Sequence, residues 1–364
     1  MKALVLREYG KLVYEDVPRP QVAPDEVLVA VEACGICGSD VHGLDGSTGR
    51  RKPPLIMGHE ASGVVAETGP AVRGWAAGER VTFDSTIYRL DDWYTRRGLY
   101  NLSDGRMVLG VSPGEYRRDG AFAEYVAVPR HILCGIPARV SFERAAMTEP
   151  VAVATHAVRL TPIEPGDTAL VVGAGMIGLC LVQVLRASGC GRVFAVDVDP
   201  ARRELARALG AAVALDPRED DVPEALAEAT EGRGADVAFE AVGIAATART
   251  AIESVRRGAT VTLVGNLAPS AEIPLQAVVT RQLRLQGSAA IAGEYPAALG
   301  MIERGAVNVD AMLSAVAPLS EGASWFARLR AKEPGLMKVI LKPRHAPEGG
   351  HAPERRSSSA SRGL

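Results

Sequence analysis

Short apolar runs broken by glycine and proline fill the chain up to about Val151, and a strand–helix rhythm replaces them from about Thr168. Val27–Val31, Gly63–Ala66 and Phe122–Val128 typify the first region. Their composition and their turn-forming flanks predict strands, and many short strands predict a small barrel-like β domain. In the second region Thr168–Val172 predicts a buried strand, Met176–Ser188 a mainly apolar helix, and Arg192–Val196 the next strand. Asp236–Phe239, Thr260–Val264 and Leu283–Ser288 continue the series. Such alternation predicts a parallel sheet covered by helices. Beyond Ala290 the pattern predicts helices around Tyr295–Arg304 and Glu321–Ala331 and a strand over Met337–Leu341. The tail His345–Leu364, rich in Pro, Gly, Ser and Arg, carries too little apolar surface to order itself.

The 364 residues suit two domains. A hydrophobic share of 47% and a charged share of 23% are ordinary for a soluble protein. A net charge of −2 gives no electrostatic footprint for nucleic acid or an anionic membrane, so neither is expected as a partner. No uncharged apolar run reaches the ~20 residues that span a bilayer, and Arg7 interrupts the N-terminus early, against a signal peptide. Five cysteines without scaffold-like spacing suit a reducing cytoplasm.

Gly173-Ala174-Gly175-Met176-Ile177-Gly178 follows an apolar strand and opens a helix. The first glycine permits the turn, the second lets a pyrophosphate approach the backbone, and the third allows close helix–strand packing. The helix N-terminus offers free N–H groups to phosphates. Asp197 ends the next strand, where a carboxylate can bond adenosine ribose hydroxyls and repel a 2′-phosphate, favouring NAD over NADP. Arg202 and Arg203 read as a solvated helix face, although either could meet a phosphate, and Asp199 reads as the cap of a helix starting at Pro200. Val242 and Gly265, at the ends of later strands, would flank the nicotinamide, but they are also ordinary strand ends.

Cys34-Gly35-Ile36-Cys37-Gly38-Ser39-Asp40-Val41-His42 precedes Gly58-His59-Glu60. A thiolate, an imidazole and a carboxylate at Cys37, His59 and Glu60 suit a zinc ion that keeps one position open. Cys34 has no second Cys-x-x-Cys pair to join. It reads, with Cys134, Cys180 and Cys190, as a small buried apolar residue. His131, His156, His345 and His351 have no motif partners and read as structural or exposed.

These motifs, with Glu149-Pro150 and the block Val108–Arg118, resemble the zinc-dependent medium-chain alcohol and polyol dehydrogenases from about Met1 to Pro343. The resemblance implies an α/β fold: a Rossmann doubly wound parallel sheet over 152–289, a GroES-like β-rich catalytic domain over 1–151 and 290–343, and a disordered tail over 344–364. It implies Cys37, His59 and Glu60 as ligands of one catalytic zinc, with Glu149 bound directly or through water. Ser39 would take the substrate proton, His42 would pass it to solvent, and Asp40 would orient the site. Relatives hold a second, structural zinc with four cysteines. Arg89, Asp92, Thr95 and Ser103 stand at those positions, so no structural zinc is expected. An Arg89–Asp92 pair and packing by Trp93, Tyr94, Leu99 and Tyr100 would replace it. The implied activity is NAD-dependent hydride exchange with a secondary alcohol or ketone of a polyol or sugar-derived substrate, in a cytoplasmic homodimer or homotetramer. A threonine-type or aldonate dehydrogenase is the enzymatic alternative, and a non-catalytic nucleotide sensor the alternative of another class.

Overall fold

The computed structural model describes residues 1–111 and 118–343. The tail and the middle of the Val108–Arg118 block lie outside the described residues. Glu26–Gly35, mostly buried, is the centre of a seven-stranded sheet. Glu60–Thr68 and Tyr125–Pro129 both pair with it antiparallel. Arg80–Phe83 and Leu133–Gly135 extend the sheet on one side. On the other side Lys338–Lys342 pairs antiparallel with Glu26–Gly35, and Leu313–Pro318 lies parallel beyond it. The chain therefore returns, after the residues of the second sheet, to the sheet centred on Glu26–Gly35. Lys2–Glu8, Lys11–Asp16 and Leu55–Ile56 form a smaller antiparallel sheet.

The second sheet has six parallel strands in the order Val213–Leu215, Arg192–Val196, Thr168–Val172, Ala235–Glu240, Val255–Leu263, Arg284–Gly287. Thr168–Val172 is paired on both edges and all five of its residues are buried, as a strand covered on both faces requires. The order reverses beside this strand, and in open parallel sheets such a switch point is where ligands settle, outside the carboxyl ends. Met176–Ala187 covers one face with Leu179, Leu181, Val182 and Leu185 fully buried, and Ala245–Glu253 belongs to the core on the other. No helix among the described residues is long and apolar enough to cross a membrane.

Three differences from the sequence pattern have local causes. Phe122–Glu124 are not part of the strand expected over Phe122–Val128. Their backbone turns instead to the first strand, with Leu4 N–H donating to the Phe122 carbonyl and Glu124 N–H to that of Lys2. Val255–Leu263 begins earlier than Thr260 because Arg256, Arg257 and Gly258 disguise its start. Val213–Leu215 and Leu313–Pro318 escape notice, one for its brevity and the other for its serine and proline.

Candidate active site

Among the described residues one group of side chains can hold a metal: donor atoms of Cys37, His59 and Glu60 all lie within 4.8 Å of one another. Cys37 caps the short helix Gly38–Gly43. His59 follows Gly58, whose φ of +95° few other residues adopt and where a Cβ would meet Cys34 Sγ and Phe122 at 2.9 Å. Cys34 thus packs behind the site and lies outside the donor group. Glu60 opens its strand opposite Gly35, and a Cβ on Gly35 would stand 2.3 Å from Glu60 Oε2. Small residues are required around these donors by contact.

The surrounding charges are buried and paired. Asp40, fully buried, accepts from Arg51 Nη2 at 2.7 Å and faces His59 Nδ1 at 3.5 Å. Burial alone would raise the Asp40 carboxyl, but His59 and Arg51 outweigh it and hold the pKa well below the usual carboxylate range. His59 shows the converse: burial opposes its charge, yet Asp40 and Cys37 drive its pKa well above the ordinary imidazole value. A thiol, an imidazole and a carboxylate converging this closely are the ligand types that a zinc site with an open position takes, so this donor set fits zinc. Lys338 Nζ donates to Glu60 Oε2 at 2.6 Å and to the Ile36 carbonyl at 3.1 Å, with both side chains of the ion pair almost wholly buried.

Glu149 stands in the first turn of Thr148–Arg159 and is not one of the three converging donors. Desolvation first, and then the charge of Glu60, raise its carboxyl to about 7. Ser39 and His42 are exposed and three residues apart on one helix, hence on the same face. The Ser39 hydroxyl accepts from Arg51 Nη2 at 3.2 Å. Arg51 and Lys338 carry no motif, and only the folded chain brings them here.

At the second sheet Gly173 has φ +97°, and a Cβ there would meet Val242 Cγ2 at 2.5 Å. A Cβ on Gly178 would strike the Gly173 carbonyl at 1.8 Å, whereas at Gly175 nothing stands within 4 Å. Gly175, which precedes Met176 and Ile177 at the helix start, thus leaves an open cradle of the kind a pyrophosphate fills. Asp197 Oδ2 accepts from Ala174 N–H at 2.8 Å and Oδ1 from Asp199 N–H at 2.9 Å, fixing the acid against the glycine loop. Asp199 accepts from Ala201 and Arg202 N–H as the cap of Pro200–Ala208. Arg203 departs from the expected solvated face: it is mostly buried and pairs with Asp216 at 2.9 Å. Arg202 stays half-exposed, 3.9 Å from Asp197. The turns holding Val242 and Gly265 touch backbone to backbone, since a Cβ on Gly265 would lie 2.1 Å from Gly243 N. Buried Glu240 organises them by accepting from Val242 N–H, Gly243 N–H and Thr247 Oγ1.

In the lobe formed by residues 89–104, Arg89 pairs with Asp91 at 3.1 Å, not with Asp92. Neighbours in an exposed turn satisfy each other, which frees Asp92 to face inward. Asp92 accepts from Thr95 N–H at 2.7 Å and Asp104 N–H at 2.8 Å. Trp93 is largely exposed beneath the Arg97 guanidinium, while Tyr100 stacks on Tyr88 with centroids 4.2 Å apart.

Comparison with known proteins places the chain in a family. Residues 23–138 match the alcohol dehydrogenase GroES-like domain, and residues 177–304 match the zinc-binding dehydrogenase domain. The chain is 31% identical to (R,R)-butanediol dehydrogenase of Bacillus subtilis (strain 168), over 94% of this chain and 100% of that one. It is 32% identical to sorbitol dehydrogenase of the same organism, over 94% and 97%. A zinc-binding dehydrogenase structure from Sinorhizobium meliloti 1021, bound to NADP, superposes with a TM-score of 0.86 at 34% identity, covering 94% of this chain and 99% of that one.

Proposed function

Because this chain belongs to the zinc-dependent medium-chain dehydrogenases, we propose that it exchanges a hydride between NAD and a secondary alcohol or ketone of a polyol or sugar-derived substrate. The observation that carries this reading is the convergence of Cys37, His59 and Glu60 within 4.8 Å. The metal belongs to segments 1–151 and 290–343 and the cofactor to 152–289. Cys37, His59 and Glu60 would hold one zinc ion, with Glu149 nearby, and Gly173–Gly178 would seat the pyrophosphate of the dinucleotide. When bound, these groups supply Lewis acidity to the substrate oxygen and a hydride acceptor.

The chain's own residues manage the proton. Ser39 Oγ accepts from Arg51 with one lone pair, leaving the other for a substrate hydroxyl and its own hydrogen for the next acceptor. His42, exposed on the same helix face, hands the proton to water. Asp40 keeps His59 in one orientation and Lys338 does so for Glu60. NAD is preferred because the fixed Asp197 carboxylate faces the ribose position, with Arg202 the nearest counterweight. The edge position of Arg284–Gly287 among the described strands and the exposed Leu267, Leu275 and Val279 support a homodimer or homotetramer.

The test is oxidation of a panel of polyols, vicinal diols, aldonates and threonine by zinc-loaded protein. Polyols or diols should give NADH. Cys37→Ser should lower kcat/KM about a thousandfold or more, since Lewis acidity supplies several kcal/mol, while NADH binding changes less than about twofold. Tight NADH binding with no turnover on any member would favour the non-catalytic sensor.

A further inference from the structure

The segment between the last parallel strand and the helix Tyr295–Glu303 leaves the sheet at its carboxyl edge, with Ser288 N–H still donating to the Leu263 carbonyl. Beyond that bond side chains hold its backbone. Asn101 Nδ2 donates to the Ala289 carbonyl at 2.8 Å, and Gly293 N–H donates to Tyr100 Oη at 2.7 Å. Arg159 donates to the Ala292 carbonyl at 3.3 Å, and Ala292 N–H donates to Glu294 Oε2 at 2.6 Å. Within the loop Ala290 adopts φ +53°, a left-handed conformation that an alanine keeps only when its surroundings hold it.

Both lobe residues are anchored in turn. Tyr100 O–H donates to Asp84 Oδ2 at 2.6 Å, so one hydroxyl bridges a buried carboxylate and a loop amide. Asn101 must present Nδ2 to the Ala289 carbonyl, which makes the same nitrogen the donor to His156 Nε2 at 3.4 Å. His156 Nδ1 then carries the hydrogen and donates to Glu294 Oε1 at 3.0 Å, and Arg159 pairs with the same carboxylate at 2.8 Å. Burial and the Asp84 charge push the Tyr100 phenol up, so the hydroxyl keeps its proton and both bonds throughout the neutral range.

We infer that Tyr100 and Asn101 are positioning residues that latch the loop 288–294 to the lobe and so fix one wall of the nicotinamide crevice. This rests on the cofactor reading above, because the loop borders that crevice only if the dinucleotide lies at the carboxyl ends of the parallel strands. The latch ties the loop that leaves the parallel sheet to the segment that follows Arg80–Phe83 in the other one.

Tyr100→Phe removes one hydroxyl and keeps the ring stacked on Tyr88; Asn101→Ser shortens the other arm. In each variant the Kd for NADH and the KM for NAD should rise about tenfold, the scale of one or two lost hydrogen bonds. kcat at saturating NAD should stay within about twofold, zinc content should hold, and amide exchange at Gly293 should quicken. A merely structural role would lower kcat and the melting temperature together and leave the KM for NAD alone, and that result overturns the latch. Unchanged exchange at Gly293 with unchanged KM does so too. If Tyr100→Phe does not fold, Asn101→Ser decides by the same readings. Wild-type protein that binds neither NADH nor NADPH overturns the cofactor reading and the latch with it.

Discussion

Lys338 reaches Glu60 across 278 positions of sequence and gives a buried carboxylate its counter-charge. Burial works against the ammonium, but Glu60 and Cys37 hold its pKa above the ordinary lysine value, so the pair stays ionic. Removing one partner of such a pair leaves the other charge buried and uncompensated. Lys338→Met should therefore destabilise the metal-free protein by ~3–5 kcal/mol, and by clearly less with zinc present, because the cation then answers Glu60. Urea unfolding with and without zinc reads the difference; equal losses would mean that Glu60 does not face the metal. At the other site Asp197→Ala should lower the NAD over NADP ratio of kcat/KM at least about tenfold. A ratio that stays put would transfer the selection to another group, with Arg202 the first to replace.

Among the elements, the lobe over Asp92–Asp104 shows how a carboxylate can organise a loop. Asp92 collects two backbone amides twelve residues apart in one case and three in the other, and draws both strands of the turn to one point. Asp92→Ala should release that turn, seen as faster proteolysis between Asp92 and Asp104, while the sheets keep their protection from exchange. Uniform loosening of the whole chain would contradict so local a role. The sequence could announce Asp92 only as a missing cysteine, because its partners are main-chain amides. Strands such as Thr168–Val172 were legible since burial on both faces leaves a continuous apolar run. Val255–Leu263 was legible only in its buried half, the exposed Arg257 and Gly258 masking the rest.

For the molecule as a whole, metal content is the sharpest measurement. One zinc per chain is expected, and chelation should abolish oxidation while circular dichroism stays near its starting value. Two firmly held zinc ions, or unfolding on chelation, would mean that the lobe holds a metal after all. Cys37, His59 and Glu60 could be read from the chain because short, glycine-rich segments carry them. Arg51, Lys338, Tyr100 and His156 could not, since polar side chains meeting across distant segments leave no periodic trace. His156 in particular read as an unpartnered histidine, and only its position beside Asn101 and Glu294 gives it a task.

The closing strand Lys338–Lys342 has a consequence for the order in which the protein is made. On a ribosome adding about 5–20 residues per second, the six parallel strands up to Gly287 are complete before Leu313–Pro318 and Lys338–Lys342 have been synthesised. The sheet centred on Glu26–Gly35 must wait for those last two strands, and Glu60 must wait for Lys338. The six-stranded parallel sheet can thus mature first although it follows Glu26–Gly35 in sequence, while the sheet of Glu26–Gly35 forms across long loops whose closure is slow. During that interval the proposed zinc-ligand thiol at Cys37 is synthesised without the completed sheet around it, so nascent chains released short of Lys338 should be the ones most open to thiol oxidation.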